Sequence, residues 1–214
     1  MNSGRLVARV VIGGLFVGHG LQKLQAKFDG PGIEETAKMM DGIEMRPAKV
    51  HAYAAGVTET TGGTLLALGA MTPLAAASLI GTMITAIRKV HLPNGVWITN
   101  RGYEYNLVLI AALMAIVDGG PGPVSIDALR HKSRHGLPAM LGALGLGAAA
   151  STLAIELGRR GGLRDTDRQV DVAGYEAGRQ QEATLPTEAQ MPPAPVPPMP
   201  SAPMTPLSDP PTTA

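Results

Sequence analysis

The chain has no cysteine among its 214 residues. That excludes disulfides, thiol catalysis and cysteine-ligated zinc or iron–sulfur centres within this chain, and it leaves the compartment undecided. Aromatic residues are scarce: one tryptophan, four tyrosines and two phenylalanines. The formal net charge is only +1 and no basic stripe interleaves with aromatics, so nothing points to nucleic acid. The mean hydropathy of +0.12 resembles that of a soluble protein. That average hides a division of the chain. From Arg159 onward there is almost no apolar run. From Leu185 onward proline dominates, as in Met191-Pro192-Pro193-Ala194-Pro195-Val196-Pro197-Pro198. Such a segment cannot bury enough apolar surface to offset its chain entropy. Residues 161–214 therefore read as a disordered, polyproline-rich tail, with a Pro-rich ligand for a partner domain as the rival reading.

What remains is strongly apolar. Five stretches approach bilayer length, roughly Leu6–Leu21, Tyr53–Ala70, Pro73–Ile87, Asn106–Val117 and Leu137–Ile155. A spanning helix needs about 20 mostly apolar residues. Pro73–Ile87 is short and can borrow length from snorkelling Arg88 and Lys89, while Asn106–Val117 is expected to extend back through Tyr103. Arg5 and Arg9 before the apolar run Val10–Val17 resemble the start of a signal peptide, yet no small-x-small cleavage site follows, so the stretch reads as a retained helix. The fold class expected is all-α, a transmembrane helical bundle. Its parts are a four-helix core over 1–130, a fifth span within 131–160 and the tail. Gly14-Leu15-Phe16-Val17-Gly18 is a GxxxG that suits close helix packing, although glycine-rich helices carry it often by chance. Gly32 to Met45 reads as a short amphipathic helix that caps the bundle or lies on the membrane surface.

Basic residues set the expected orientation. Lys23, Lys27, Lys38, Arg46 and Lys49 join the first two spans, Arg88, Lys89 and Arg101 join the third and fourth, and Arg159, Arg160, Arg164 and Arg168 follow the fifth. These fall on one side. Arg5, Arg9, Arg130, Lys132 and Arg134 fall on the other. The expectation is an outside N-terminus and a cytoplasmic tail in a bacterial plasma membrane.

The polar residues of the spans gather at the same predicted cytoplasmic end. His19, Gln22 and Lys23 close the first span, and His51 opens the second. Arg88, Lys89 and His91 close the third, and Asn94, Trp97, Asn100, Tyr103, Glu104 and Asn106 lead into the fourth. Glu59 lies eight residues past His51, roughly 12 Å deeper at 1.5 Å per residue. An ionisable residue within a span faces the bundle interior and pairs with something. Lys23, Arg88 or His19 are its candidate partners, and Thr58, Thr60 and Thr61 offer hydroxyls beside it. The pair would either fix helix register or carry a proton. Histidine can ligate haem or metal, but no span carries H-x-x-x-H or E-x-x-H, and no metal site is assigned.

These motifs resemble the DoxX family of small bacterial membrane proteins. The resemblance rests on His19-Gly20-Leu21-Gln22-Lys23-Leu24, on Glu59 with Gly62-Gly63, and on Asn94-Gly95-Val96-Trp97 continuing to Gly102-Tyr103-Glu104-Tyr105-Asn106-Leu107. It also rests on Gly120-Pro121-Gly122-Pro123-Val124-Ser125-Ile126-Asp127. It covers about residues 5–130 and implies a four-helix transmembrane core, to which the fifth span and tail are additions. It also implies a loose link to quinone-dependent sulfur oxidation and membrane redox complexes, with no agreed catalytic residue.

The functional expectation is a redox-associated membrane subunit with a quinone as candidate cofactor. His19, Glu59 and Tyr103 are its candidate catalytic residues, and Gln22, Lys23, His91, Asn94 and Glu104 its candidate cofactor contacts. Quinone chemistry moves protons with electrons, and a carboxylate or histidine at the membrane face can carry them. Without cysteine, electrons would come from membrane or soluble redox partners. The alternative is a non-catalytic scaffold that recruits soluble partners to the bilayer. Whether the protein is an enzyme stays open at this level.

Overall fold

The structure, a computed structural model, describes residues 3–183. All of its regular elements among the described residues are helical: α1 (Ser3–Gln25), α2 (Gly32–Gly42), α3 (Ala48–Leu68), α4 (Thr72–Ala86), α5 (Glu104–Gly119), α6 (Ile126–Leu129) and α7 (Leu137–Ala183). The chain divides after Val170 into two units, and the first contains α1 to α6 and most of α7. The molecule is a helical membrane bundle.

Among the described residues, three stretches are long and apolar enough to cross a membrane: Ser3–Gln25, Thr72–Asn94 and Leu137–Leu163. The third expected span is longer than its sequence suggested. Beyond Ala86 the chain continues through a wide π-turn at Ile87–His91 and a tight turn at Leu92–Asn94. α5 has 16 residues, about 24 Å at 1.5 Å per residue. α3 is long enough, but Lys49, His51, Glu59 and its threonines lower its hydropathy. Three of those hydroxyls turn back onto their own helix: Thr60, Thr61 and Thr64 donate to the carbonyls of Gly56, Val57 and Thr60. A hydroxyl satisfied in this way can face lipid. It also means that Thr60 and Thr61 do not serve Glu59 as expected.

α7 is helical through Ala183, so residues 161–183, read from sequence as tail, continue the helix. The segment holds three Arg, three Gln, three Ala and two Glu, all good helix formers, among four glycines and three aspartates. The proline-rich stretch from Leu185 lies outside the described residues.

The tightest packing is between α1 and α3. Two glycines on each helix, seven residues apart and therefore on one face, meet in antiparallel order. A Cβ added to Gly13 would lie 2.8 Å from the Ala67 nitrogen, and one on Gly63 would lie 2.9 Å from the Val17 nitrogen. One on Gly20 would lie 2.7 Å from the Gly56 oxygen, and one on Gly56 would lie 2.6 Å from Leu24 Cγ. Backbone thus meets backbone, and no side chain fits between. The GxxxG read from sequence is not this seam: Gly14 and Gly18 have open space around them.

α4 packs between α3 and α5, and its small residues meet α7, where a Cβ on Gly147 would lie 2.8 Å from the Ala77 oxygen. Phe16, Leu66, Leu79, Ile80, Leu113, Val117 and Ala143 form the shared core. The outside is also apolar: Val7, Val10, Val11 and Leu15 of α1, Leu107 and Val108 of α5 and Leu141, Leu146 and Leu153 of α7 are all exposed. So broad an apolar surface is an aggregation hazard in water and is suited to lipid. α2 settles against α1 and α3, burying Gly32 and Thr36, and so caps the bundle. Its outer face is solvated. The Lys38 ammonium is held above its ordinary value, first by its hydrogen bond to Glu35 and then by that carboxylate's charge.

Candidate functional site

Glu59 falls on the face of α3 that carries Gly56 and Gly63, because three and four residues both return to one side of a helix. The glycine seam draws α1 close enough for Lys23 to reach it. Lys23 Nζ lies 2.6 Å from Glu59 Oε2, with the two side chains 19% and 8% exposed. The same ammonium lies 3.5 Å from the His19 carbonyl. His19 Nδ1 and Gln22 Oε1 are 3.0 Å apart, and Gln22 Nε2 donates to the Phe28 carbonyl at 3.3 Å. Of the three partners expected for Glu59, the structure selects Lys23. Arg88 instead donates to Thr152 of α7 at 3.1 Å.

The remaining predicted residues form a second group in the connection between α4 and α5. His91 Nδ1 lies 2.8 Å from the Arg101 carbonyl, to which Asn94 Nδ2 also donates at 3.3 Å. Glu104 Oε2 accepts the Ile98 amide at 2.9 Å. Tyr103, half-buried before α5, contributes its amide to the Gly95 carbonyl at 3.1 Å. Among the described residues no hydrogen bond or ion pair joins this group to His19, Gln22, Lys23 or Glu59. The single polar gathering read from sequence is therefore two: an interhelical ion pair with its histidine–glutamine neighbour, and a self-bonded loop.

A third polar cluster, at the opposite end of the bundle, was missed. Arg9 is 1% exposed, and its Nη2 donates to the Val124 carbonyl at 2.6 Å. Asp127, also buried, accepts the Met71 amide at 2.8 Å, the Thr72 amide at 2.9 Å and the Thr72 hydroxyl at 2.8 Å. Its carboxylate therefore caps the N-terminus of α4, where a negative charge also complements the helix dipole. The Asp127 amide returns a bond to the Gly69 carbonyl at 2.9 Å. Gly69 ends α3 in the left-handed region (φ 62), and a Cβ there would strike the Arg9 guanidinium. Arg9 Nε and Nη1 have no hydrogen-bond partner. The Arg5 side chain donates to the Gly119 carbonyl beside this clasp. The available signal was Arg9 itself, an arginine followed by an unbroken apolar run, which the sequence reading had treated only as a flanking charge.

An ion pair and a polar clasp buried between apolar helices, with apolar surface outside, define a multi-pass helical membrane protein. Residues 4–92 match the model of the DoxX family, which supports membership in that family. The match spans α1 to α4; the two motifs at 94–107 and 120–127 lie outside the matched segment. No curated protein and no solved structure gives a match.

Proposed function

We propose that this protein is a subunit of a redox-linked membrane complex, in which the Lys23–Glu59 pair exchanges protons with a quinone head group at the membrane face. The observation that carries the reading is the pair itself. It is an ion pair between two helices of the bundle, largely shielded, and its lysine side retains some exposure beside His19 and Gln22. His19 and Gln22 supply groups able to hydrogen-bond a quinone oxygen, and Glu59 supplies the acceptor for a proton. Electrons come from a membrane or soluble redox partner, since this chain has no cysteine to ligate a cluster. The reading places the protein in a bacterial plasma membrane with its N-terminus outside. Burial of Arg9 removes one charge from the outer count, which strengthens the asymmetry of basic residues.

The scaffold reading is favoured by a different observation. His91, Asn94 and Glu104 are all engaged with the backbone of their own loop, which is a structural role. One experiment separates the two readings: mass spectrometry of quinone in lipid extracted from the purified protein, beside Glu59→Gln. Stoichiometric quinone that is lost in the variant supports the redox site. Background quinone in both proteins leaves the scaffold as the better account.

A further inference from the structure

The connection between α4 and α5 is built unlike an ordinary solvent loop. Much of its backbone is bonded from within. Gly95 donates to Leu92, Asn100 and Gly102 both donate to Trp97, Arg101 donates to Ile98, Tyr103 to Gly95 and Glu104 to Val96. Side chains complete the set, with the Ile98 amide held by Glu104 and the Arg101 carbonyl by His91 and Asn94. Gly102 closes the loop, because a Cβ there would run into the Gly95 and Val96 carbonyls. With these groups bonded inside the loop, apolar side chains turn outward: Leu92, Val96, Trp97 and Ile98 are exposed, Trp97 by 64%. In water this arrangement wastes apolar surface. At a bilayer surface it is what insertion requires, since an unsatisfied backbone group is costly there.

The position and charge of the loop indicate what covers it. Its first residues, Leu92–Asn94, close the Thr72–Asn94 apolar stretch and its last lead straight into α5, so it lies at the membrane boundary. Between Arg88 and Glu104 the charged residues are Arg88, Lys89, Arg101 and Glu104, and the single acid is held at the Ile98 amide. Aromatic and aliphatic side chains bordered by cations fit the headgroup region of an anionic lipid surface. We propose that residues 92–103 are a preorganised interfacial anchor, which seats Leu92, Trp97 and Ile98 among anionic lipids with Lys89 and Arg101 near their phosphates. Because the loop is already ordered, insertion costs little conformational entropy. His91, Asn94 and Glu104 are then positioning residues for the anchor.

Trp97 is the sole tryptophan, so its fluorescence reports this loop alone. The full chain is reconstituted in vesicles of equal parts phosphatidylcholine and phosphatidylglycerol, and in phosphatidylcholine alone. Quenching is compared for lipids brominated high or low on the acyl chain and for aqueous iodide. The expected result in the anionic vesicles is a blue-shifted emission, quenched most by shallow bromine and poorly by iodide. Weaker bromine quenching is expected in the neutral vesicles. Emission that iodide quenches freely and bromine does not overturns the anchor. Shielding from both quenchers also overturns it, in favour of a protein contact. Equal bromine quenching in the two vesicles overturns the selection for anionic lipid. Glu104→Ala, with helix content checked by circular dichroism, should raise iodide quenching. Unchanged quenching in a folded variant overturns the role of preorganisation.

Discussion

Replacing Lys23 with methionine keeps the length of the side chain and removes its charge, leaving Glu59 shielded without a counter-ion. At 2.6 Å and an effective dielectric of about 20, the attraction between the two charges is about 6 kcal/mol before desolvation is subtracted. Removing one partner of a buried pair costs about 3–5 kcal/mol. Lys23 retains 19% exposure, so the lower part of that range, about 3 kcal/mol, is expected for Lys23→Met. Glu59→Met should cost less, about 1–2 kcal/mol, because a lysine at a span end can swing its ammonium toward the interface. The variant carrying both methionines should return to within about 1 kcal/mol of the wild type, since an apolar pair of similar volume replaces the ions. The assay is unfolding by sodium dodecyl sulfate in mixed micelles, followed by far-ultraviolet circular dichroism. A loss below about 0.5 kcal/mol for Lys23→Met, the range of ordinary surface substitutions, would refute the claim that this pair is shielded and closed.

Gly20→Val should destabilise the bundle by at least about 1–3 kcal/mol, because its side chain must enter space held by Thr60 and the Gly56 carbonyl. Gly14→Ala, on the open face of the same helix, should instead be neutral or stabilising by up to about 1 kcal/mol through helix propensity. Equal effects in the same detergent titration would show that the α1–α3 seam is wrongly placed. Asp127→Ala strands two amides and a hydroxyl and removes the acid nearest Arg9, so a loss above about 3 kcal/mol is expected. Thermal melts in detergent that coincide for Asp127→Ala and wild type would contradict the clasp.

The features legible in the sequence are those set by short-range pattern. Runs such as Leu137–Ile155 are apolar over a length comparable to a bilayer, and any chain with such runs must form helices there to satisfy its backbone. Glu59 stood out for the same reason, as a charge where lipid permits none without a partner. The amphipathic period of Gly32–Met45 and the breaks around it were enough to locate α2. That His19, Gln22, Lys23, His91 and Glu104 lie near the ends of their spans was also visible, because it needs only span boundaries, although they form two groups and not one.

The choice of neighbour was not legible. Gly13 and Gly14 differ by one residue, which turns a side chain through about 100° of helix. One of them meets the α3 backbone and the other faces outward. Local sequence treats them alike, and the rotation of α1 is decided only by its packing against α3, through Gly56 and Gly63. The same packing selects Lys23 rather than Arg88 for Glu59. Arg9 and Asp127, 118 positions apart in the chain, join one cluster around Gly69 only because the α3–α4 turn and the residues before α6 come together at one end of the bundle. The sequence by itself determined that this is a helical membrane protein with charges that must be paired. The tertiary structure alone decided the pairs, because partner choice depends on helix rotation and register, which are properties of long-range contact and not of any local run.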